Sequence, residues 1–134
     1  MGKIISYSRG SSKAKSFNGE ESVSHQLSSI KNYAEQNNLV IEKQFTDVFT
    51  DSDSNVPQLI EMLKFLQDNP NSVDEVVFYS IDRLGRDLGG KIKTFLEVEK
   101  NVQRIYFLSE NIDSKQEFFK TYFLLWTAVA ETNK

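Results

Sequence analysis

The sequence contains no cysteine. Disulfide bonds and thiolate metal sites are therefore excluded, and cysteine usage leaves the redox compartment open. Histidine is nearly absent as well, since His25 is the only one. We expect neither a His-based catalytic triad nor a zinc site, and we interpret His25 as a surface residue.

The sequence also has only two prolines and six glycines, and it has no apolar run long enough to span a membrane. Its hydrophobic fraction of 39%, with ten Phe, five Tyr and one Trp, excludes a disordered chain. A length of 134 residues suits one domain with a core of its own. We expect a single domain over residues 1–134, located in the cytoplasm and not associated with membranes.

The chain has no excess of positive charge, because its formal net charge is −3. A protein that binds nucleic acid through its whole surface usually carries a basic patch or stripe. Any site for phosphate must therefore be local.

Strand-like and helix-like patterns alternate along the chain. Four short apolar or β-branched runs predict strands at residues 3–7, 39–45, 75–79 and 104–108. Between them lie three helical stripes, formed by Val23, Leu27, Ile30 and Ala34, by Leu59, Met62, Leu63 and Leu66, and by Leu84, Leu88, Ile92, Phe95 and Leu96. This alternation predicts an α/β fold with a mostly parallel sheet of four to five strands covered by helices.

The last segment, residues 114–133, predicts a long helix that is apolar nearly all round. Such a helix is normally buried on several sides, and at the end of a chain a second subunit can bury it. We expect an oligomer interface formed by Phe118, Tyr122, Phe123 and Trp126.

Polar loops follow the first three predicted strands. Ligands of parallel α/β sheets bind outside the carboxyl ends of the strands, so these loops should converge on one site. The residues brought together would be Arg9, Ser11, Ser12, Asp47, Asp82, Arg83 and Arg86. Arginines suit a phosphodiester because guanidinium groups make charge-assisted bonds to oxyanions, and a hydroxyl among them could act as a nucleophile. From spacing alone, surface ion pairs with Asp82 and Asp87 explain Arg83 and Arg86 equally well.

Two other motifs are incomplete. Residues 85–92, "GRDLGGKI", match a nucleotide-binding P-loop except for Ile92, which stands where a Ser or Thr would bind magnesium. Residues 51–55, "DSDSN", begin like a calcium loop, but Val56 stands at the position of the turn glycine. We expect a chance match in the first case and a solvated loop in the second.

Two motifs in order resemble those of a known family. "YSRGSS" at residues 7–12 resembles the opening motif of the serine recombinases, the resolvase and invertase group, and "SIDRLGRDL" at residues 80–88 resembles their D-R-L-x-R motif. The segment between them, including Gln26, also resembles this family, and the long gap between Ser11 and Gln26 is most similar to the large serine integrases. The resemblance covers nearly the whole chain and implies a resolvase-like catalytic domain.

The resemblance implies roles for particular residues. Ser11 would be the nucleophile, with Arg9, Arg83 and Arg86 around the scissile phosphate, and with Gln26 and Asp82 as supporting residues of the active site. It implies a 5′-phosphoserine intermediate formed without a metal or other cofactor. The partners implied are double-stranded DNA at a specific site, a homodimer, and a tetramer at synapsis. The DNA-binding region would follow the last helix and is expected to be absent from this chain.

The chain departs from the family pattern in two places. Val56 precedes Pro57 where the family has an Arg-Pro pair, and "EFFKTYF" replaces small and glycine residues at the start of the last helix.

The leading interpretation is a site-specific DNA recombinase that cuts and rejoins phosphodiesters through Ser11. The first alternative is a catalytically weak or inert recombinase-like interaction module, which Val56 favours, and a nucleotide-binding domain is the second.

Overall fold

A computed structural model describes residues 2–10, 22–48, 56–85 and 87–132. Its centre is a five-stranded sheet in the order β2-β1-β3-β4-β5. The strands are β1 (Gly2–Gly10), β2 (Leu39–Val48), β3 (Glu75–Phe78), β4 (Arg104–Phe107) and β5 (Ile112–Asp113). The first four are parallel, and β5 pairs antiparallel to β4. The predicted mostly parallel sheet of four to five strands is therefore confirmed. The fifth strand, β5, has only two residues, which is too short to produce a strand pattern in the sequence.

Helices cover both faces of the sheet. They are α1 (Val23–Gln36), α2 (Pro57–Asp68), α3 (Leu88–Glu99) and α4 (Phe119–Thr132). One face packs on α1 through a small cluster that includes Ile4, Ile30, Ala34, Val77 and Tyr106. The opposite face packs on α2, α3 and α4 and forms the main core. Alternate residues of β1 thus serve different layers, as the pleat of a strand requires.

The helix starts have identifiable caps. The hydroxyl of Ser22 accepts a hydrogen bond from the amide of His25 at 3.1 Å, and Asp87 Oδ1 accepts one from the amide of Gly90 at 2.7 Å. These contacts satisfy amide groups that have no partner within the helix. Asp87 and Gly90 belong to the segment that resembled a P-loop, and its described residues from Leu88 onward form the first turn of α3.

The buried stripes of the helices differ from the expected ones in two places. In α1, Gln26 is fully buried whereas Leu27 is only partly buried. In α3, Leu96 is 48% exposed and Leu84 lies before the helix, in a short 3-10 turn (Ile81–Leu84). The buried residues of α3 are Lys91, Thr94, Phe95 and Val98. Two polar or charged side chains, Gln26 and Lys91, therefore occupy positions that apolar periodicity could not predict.

Within this subunit, the last helix is buried on one side only. It begins at Phe119, and its inner side packs Phe119 and Phe123 against Phe95 and Phe107. Its other large apolar side chains are exposed by 38% to 62%, namely Tyr122, Leu124, Leu125, Trp126 and Val129. Phe123 is only 4% exposed and belongs to the core of its own subunit, so the structure removes it from the expected interface. Among the described helices, none is long and apolar enough to cross a membrane.

Candidate active site

The expected site lies at the carboxyl edge of the parallel strands, and its core is Arg9, near the end of β1. The β1 strand runs beyond β3, because the pairing of these two strands ends at Tyr7 and Phe78. On the other side Arg9 still pairs with Asp47 of β2. The edge of Arg9 that faces away from β2 therefore has no strand beside it.

Gln26 of α1 occupies the place of the missing strand. Its Oε1 accepts a hydrogen bond from the amide of Arg9 at 3.2 Å, and its Nε2 donates to the carbonyl of Arg9 at 2.9 Å. The carboxamide is fully buried and pairs with the backbone as a neighbouring strand would. Gln26 thus fixes the backbone immediately before the residues expected to include the nucleophile.

The same carboxamide contacts the second arginine of the site. Arg83 Nε lies 3.4 Å from Gln26 Oε1, and the guanidinium carbon of Arg83 lies 5.7 Å from the centre of the Tyr79 ring. Arg83 is 4% exposed and Arg9 is 9% exposed. Burial of two cations is costly unless hydrogen bonds or anions compensate for it. A pair of buried guanidinium groups at a sheet edge is therefore suited to binding an oxyanion.

Asp82 contributes through its main chain. Its carbonyl accepts a hydrogen bond from Arg9 Nη2 at 3.0 Å, whereas its side chain is exposed. Arg9, Gln26, Asp82 and Arg83 are thus brought together. Ser11, Ser12 and Arg86 lie outside the described residues, so their positions in the site stay predictions.

Glu110 supports the turn that carries Asp82 and Arg83. Its Oε1 accepts a hydrogen bond from the amide of Ile81 at 3.1 Å. Burial raises the pKa of Glu110 above its ordinary value, and Asp82 adds to the shift, although the bond from Ile81 opposes it. Sequence analysis missed Glu110. Because Glu110 follows β4, it lies at the same edge of the sheet as the other site residues, and this position could have identified it as a candidate.

Asp47 joins the site to α2. Its Oδ2 accepts hydrogen bonds from the Tyr7 hydroxyl at 2.7 Å and from the amide of Leu59 at 3.0 Å, and its Oδ1 accepts one from the amide of Gln58 at 2.9 Å. Val56, the residue at the N-cap position of α2, makes no side-chain cap. Asp47, a residue of β2, therefore caps α2 in place of the N-cap side chain.

Tyr7 donates a hydrogen bond to this carboxylate, and the charges of the arginines also act on its hydroxyl. Burial raises the pKa of Tyr7, the hydrogen bond to Asp47 raises it further, and the charges of Arg9 and Arg83 act in the opposite direction. The tyrosine therefore stays protonated and remains a donor to Asp47. Tyr7 was not among the expected site residues, since its position inside a predicted strand indicated only a core role.

The remaining expectations concern His25 and metals. His25 is exposed, and its ring lies 5.9 Å from that of Tyr79 in an edge-on arrangement. Within the described ranges, no group of three or more His, Asp or Glu side chains could hold a metal ion. The calcium-loop resemblance at residues 51–55 lies outside the described residues.

The fold and the arginine site together define an α/β domain of the resolvase type. The family "Resolvase, N terminal domain" matches residues 4–134, and the chain therefore belongs to this family of serine recombinase catalytic domains. A search of curated protein sequences found no match.

Solved structures with the same fold come from several recombinases. The N-terminal catalytic domain of TP901-1 integrase is 21% identical, with a TM-score of 0.71, over 98% of this chain and 95% of that one. A resolvase family site-specific recombinase from Streptococcus pneumoniae is 20% identical, with a TM-score of 0.74, over 99% and 88%. The C-terminal catalytic domain of ISC1926 TnpA, an IS607-like serine recombinase, is 20% identical, with a TM-score of 0.59, over 96% and 79%.

Proposed function

We propose that this chain is the catalytic domain of a site-specific DNA recombinase in which Ser11 is the nucleophile. The observation that carries the proposal is the pair of buried arginines, Arg9 and Arg83, tied together by Gln26. Membership of the resolvase family supports the choice of DNA as the substrate. Arg86, three residues after Arg83, would complete the anion site.

The proposed reaction is a transesterification at phosphorus. The Ser11 oxygen forms a bond to phosphorus, the bond to the 3′ oxygen breaks, and the proton lost by serine ends on the released 3′ hydroxyl. The product is a 5′-phosphoserine, and attack by a 3′ hydroxyl reverses the step and rejoins the DNA. Arg9, Arg83 and Arg86 would stabilise the negative charge that accumulates on the phosphoryl oxygens in the transition state. No cofactor is required by this chemistry.

We further propose that the domain works as a homodimer that forms a tetramer at synapsis. The exposed apolar side of α4 supports this assembly, because exposed patches of this kind usually mark an interface. The contacting residues would include Phe118, Tyr122 and Trp126, which are 76%, 40% and 38% exposed. Specific recognition of the DNA would belong to another region of the full-length protein. The protein would act in the cytoplasm.

One observation favours a second candidate, a weak or inert recombinase-like module. Val56 stands before Pro57 at the start of α2, where the family pattern has an arginine, and it offers no charge to a phosphate. The inert-module hypothesis keeps the assembly through α4 and removes the chemistry.

Trapping of the covalent intermediate separates the two candidates. Full-length protein is incubated with plasmid DNA carrying its recombination site, and protein bound covalently to DNA is detected on a denaturing gel. We expect adducts from the wild type and from Ser12→Ala but none from Ser11→Ala, which should still bind the DNA. Adducts that persist in Ser11→Ala and disappear in Ser12→Ala would assign the nucleophile to Ser12. Absence of adducts from all three proteins would favour the inert module.

A further inference from the structure

A groove between α2 and α3 opens beside the candidate active site. It encloses about 310 Å³, and Arg9 is one of its lining residues. The α2 wall is apolar and begins at Val56, and the α3 wall carries Lys93 and Glu97. Among the residues that the structure describes, the cations that line this groove are Arg9 and Lys93.

The charge of Lys93 is available for a ligand. The side chain is exposed, and among the residues that the structure describes it makes no ion pair or hydrogen bond. Glu97, one turn further along α3, lies 3.5 Å from Lys100. Within the described part of the chain, the groove that Arg9 lines thus also presents an unpaired ammonium group, and the carboxylate of Glu97 pairs with Lys100 instead.

The position of Lys93 bears on the missing arginine. Val56 lines the same groove, so a cation at position 56 would have served the same space that Lys93 reaches from the opposite wall. A lysine ammonium on a flexible four-carbon stem binds a phosphate as a point charge and needs no fixed orientation. The apolar α2 wall excludes water on one side, and this strengthens the attraction between opposite charges.

We propose that Lys93 binds the DNA backbone phosphate adjacent to the one held by Arg9, and that it supplies the charge that Val56 lacks. This inference rests on the proposed function, since it takes DNA as the substrate. It assigns a substrate-binding role to a residue of α3 that lies outside the motifs "YSRGSS" and "DRLGR".

A comparison of four proteins tests the compensation. The rate of covalent adduct formation is measured for the full-length wild type, Lys93→Gln, Val56→Arg and the double variant, on a duplex with the recombination site. We expect Lys93→Gln to slow cleavage about tenfold, on the scale of one charge-assisted phosphate contact. Val56→Arg should restore Lys93→Gln to within about threefold of the wild type and change the wild type itself by less than about threefold, because the two cations serve one phosphate.

Lys100→Gln is the matched control. Lys100 follows the last turn of α3, is exposed and lies at the opposite edge of the sheet, so its loss should leave the rate within about twofold of the wild type. The salt dependence of DNA binding gives a second readout. Lys93→Gln should lower the slope of log K against log salt by about 0.9, and Lys100→Gln should leave it unchanged.

Two results would overturn the inference alone. The first is a Lys93→Gln protein that matches Lys100→Gln in both rate and salt slope. The second is a Val56→Arg substitution that raises cleavage by the same factor with and without Lys93. A wild type that forms no adduct would overturn the proposed function as well, so the two failures are distinguishable.

Discussion

Replacement of Gln26 by leucine tests how the site is held together. The carboxamide of Gln26 satisfies both the amide and the carbonyl of Arg9 at a position where β3 has already ended. Leucine fills a similar volume but can neither donate nor accept a hydrogen bond. Both backbone groups of Arg9 would then lose these buried partners, and Arg83 Nε would lose its longer contact of 3.4 Å.

The cost follows from the buried polar groups. Each orphaned group costs about 1–3 kcal/mol, and two therefore cost about 4 kcal/mol. Burial of a leucine side chain returns about 2 kcal/mol. We expect Gln26→Leu to reduce the free energy of unfolding by about 2 kcal/mol, which for a domain of this size lowers the Tm by roughly 8 °C.

Urea denaturation of the 134-residue chain measures this loss. Gln36→Leu is the control, because it makes the same chemical change at an exposed position on the last residue of α1, where about 0.5 kcal/mol or less is expected. Hydrogen exchange at the amide of Arg9 should accelerate in Gln26→Leu only. Equal stability of the two variants, with slow exchange at Arg9 in both, would refute the bridging role of Gln26.

Three further predictions concern the cap of α2, a buried carboxyl and the assembly. Asp47→Asn should cost about 1–3 kcal/mol in urea denaturation, because an amide nitrogen replaces one of the two accepting oxygens. Exchange should accelerate at whichever amide, Gln58 or Leu59, faces that nitrogen, and wild-type stability and exchange would contradict the cap. Burial raises the pKa of Glu75, so its protonated form favours the folded state and stability is lost as pH rises through the folded pKa. The stability of Glu75→Gln relative to the wild type should therefore increase from about pH 4 to pH 7, and a decrease would mean that the ion pair with Arg104 outweighs burial. Trp126→Glu should weaken the dimer, as measured by sedimentation velocity. The control Ile60→Glu puts the same charge at an exposed apolar residue of α2 and should leave the dimer unchanged. A Trp126→Glu dimer of unchanged affinity would exclude this part of α4 from the interface.

Much of the fold followed from the sequence because its determinants are local. Strand-like runs separated by amphipathic stripes predicted the first four strands and their mostly parallel arrangement, and a parallel sheet brings their carboxyl ends to one edge. This is why Arg9 and Arg83 could be placed together although they are 74 residues apart in the sequence. The identity of the recombinase family came from motifs, and the match over residues 4–134 confirms it.

The parts that sequence analysis missed depend on contacts between distant elements. Asp47 caps α2 from strand β2, and Glu110 holds the turn at Ile81 from beyond β4. Neither contact has a periodic signature. The prediction for α4 was wrong for Phe123, because a sequence that is apolar on most sides does not reveal which side the subunit's own core will occupy.

The most direct test of the central claim is the chemical identity of the protein–DNA linkage. Adducts formed by the full-length wild type are digested with nuclease and protease, and the peptide that retains a nucleotide is sequenced by mass spectrometry. The mechanism predicts a single linked residue, Ser11, joined through a phosphodiester to the 5′ end of the cut strand, with a free 3′ hydroxyl on the other DNA end. Attachment through any other residue, or through a 3′ phosphate, would contradict it.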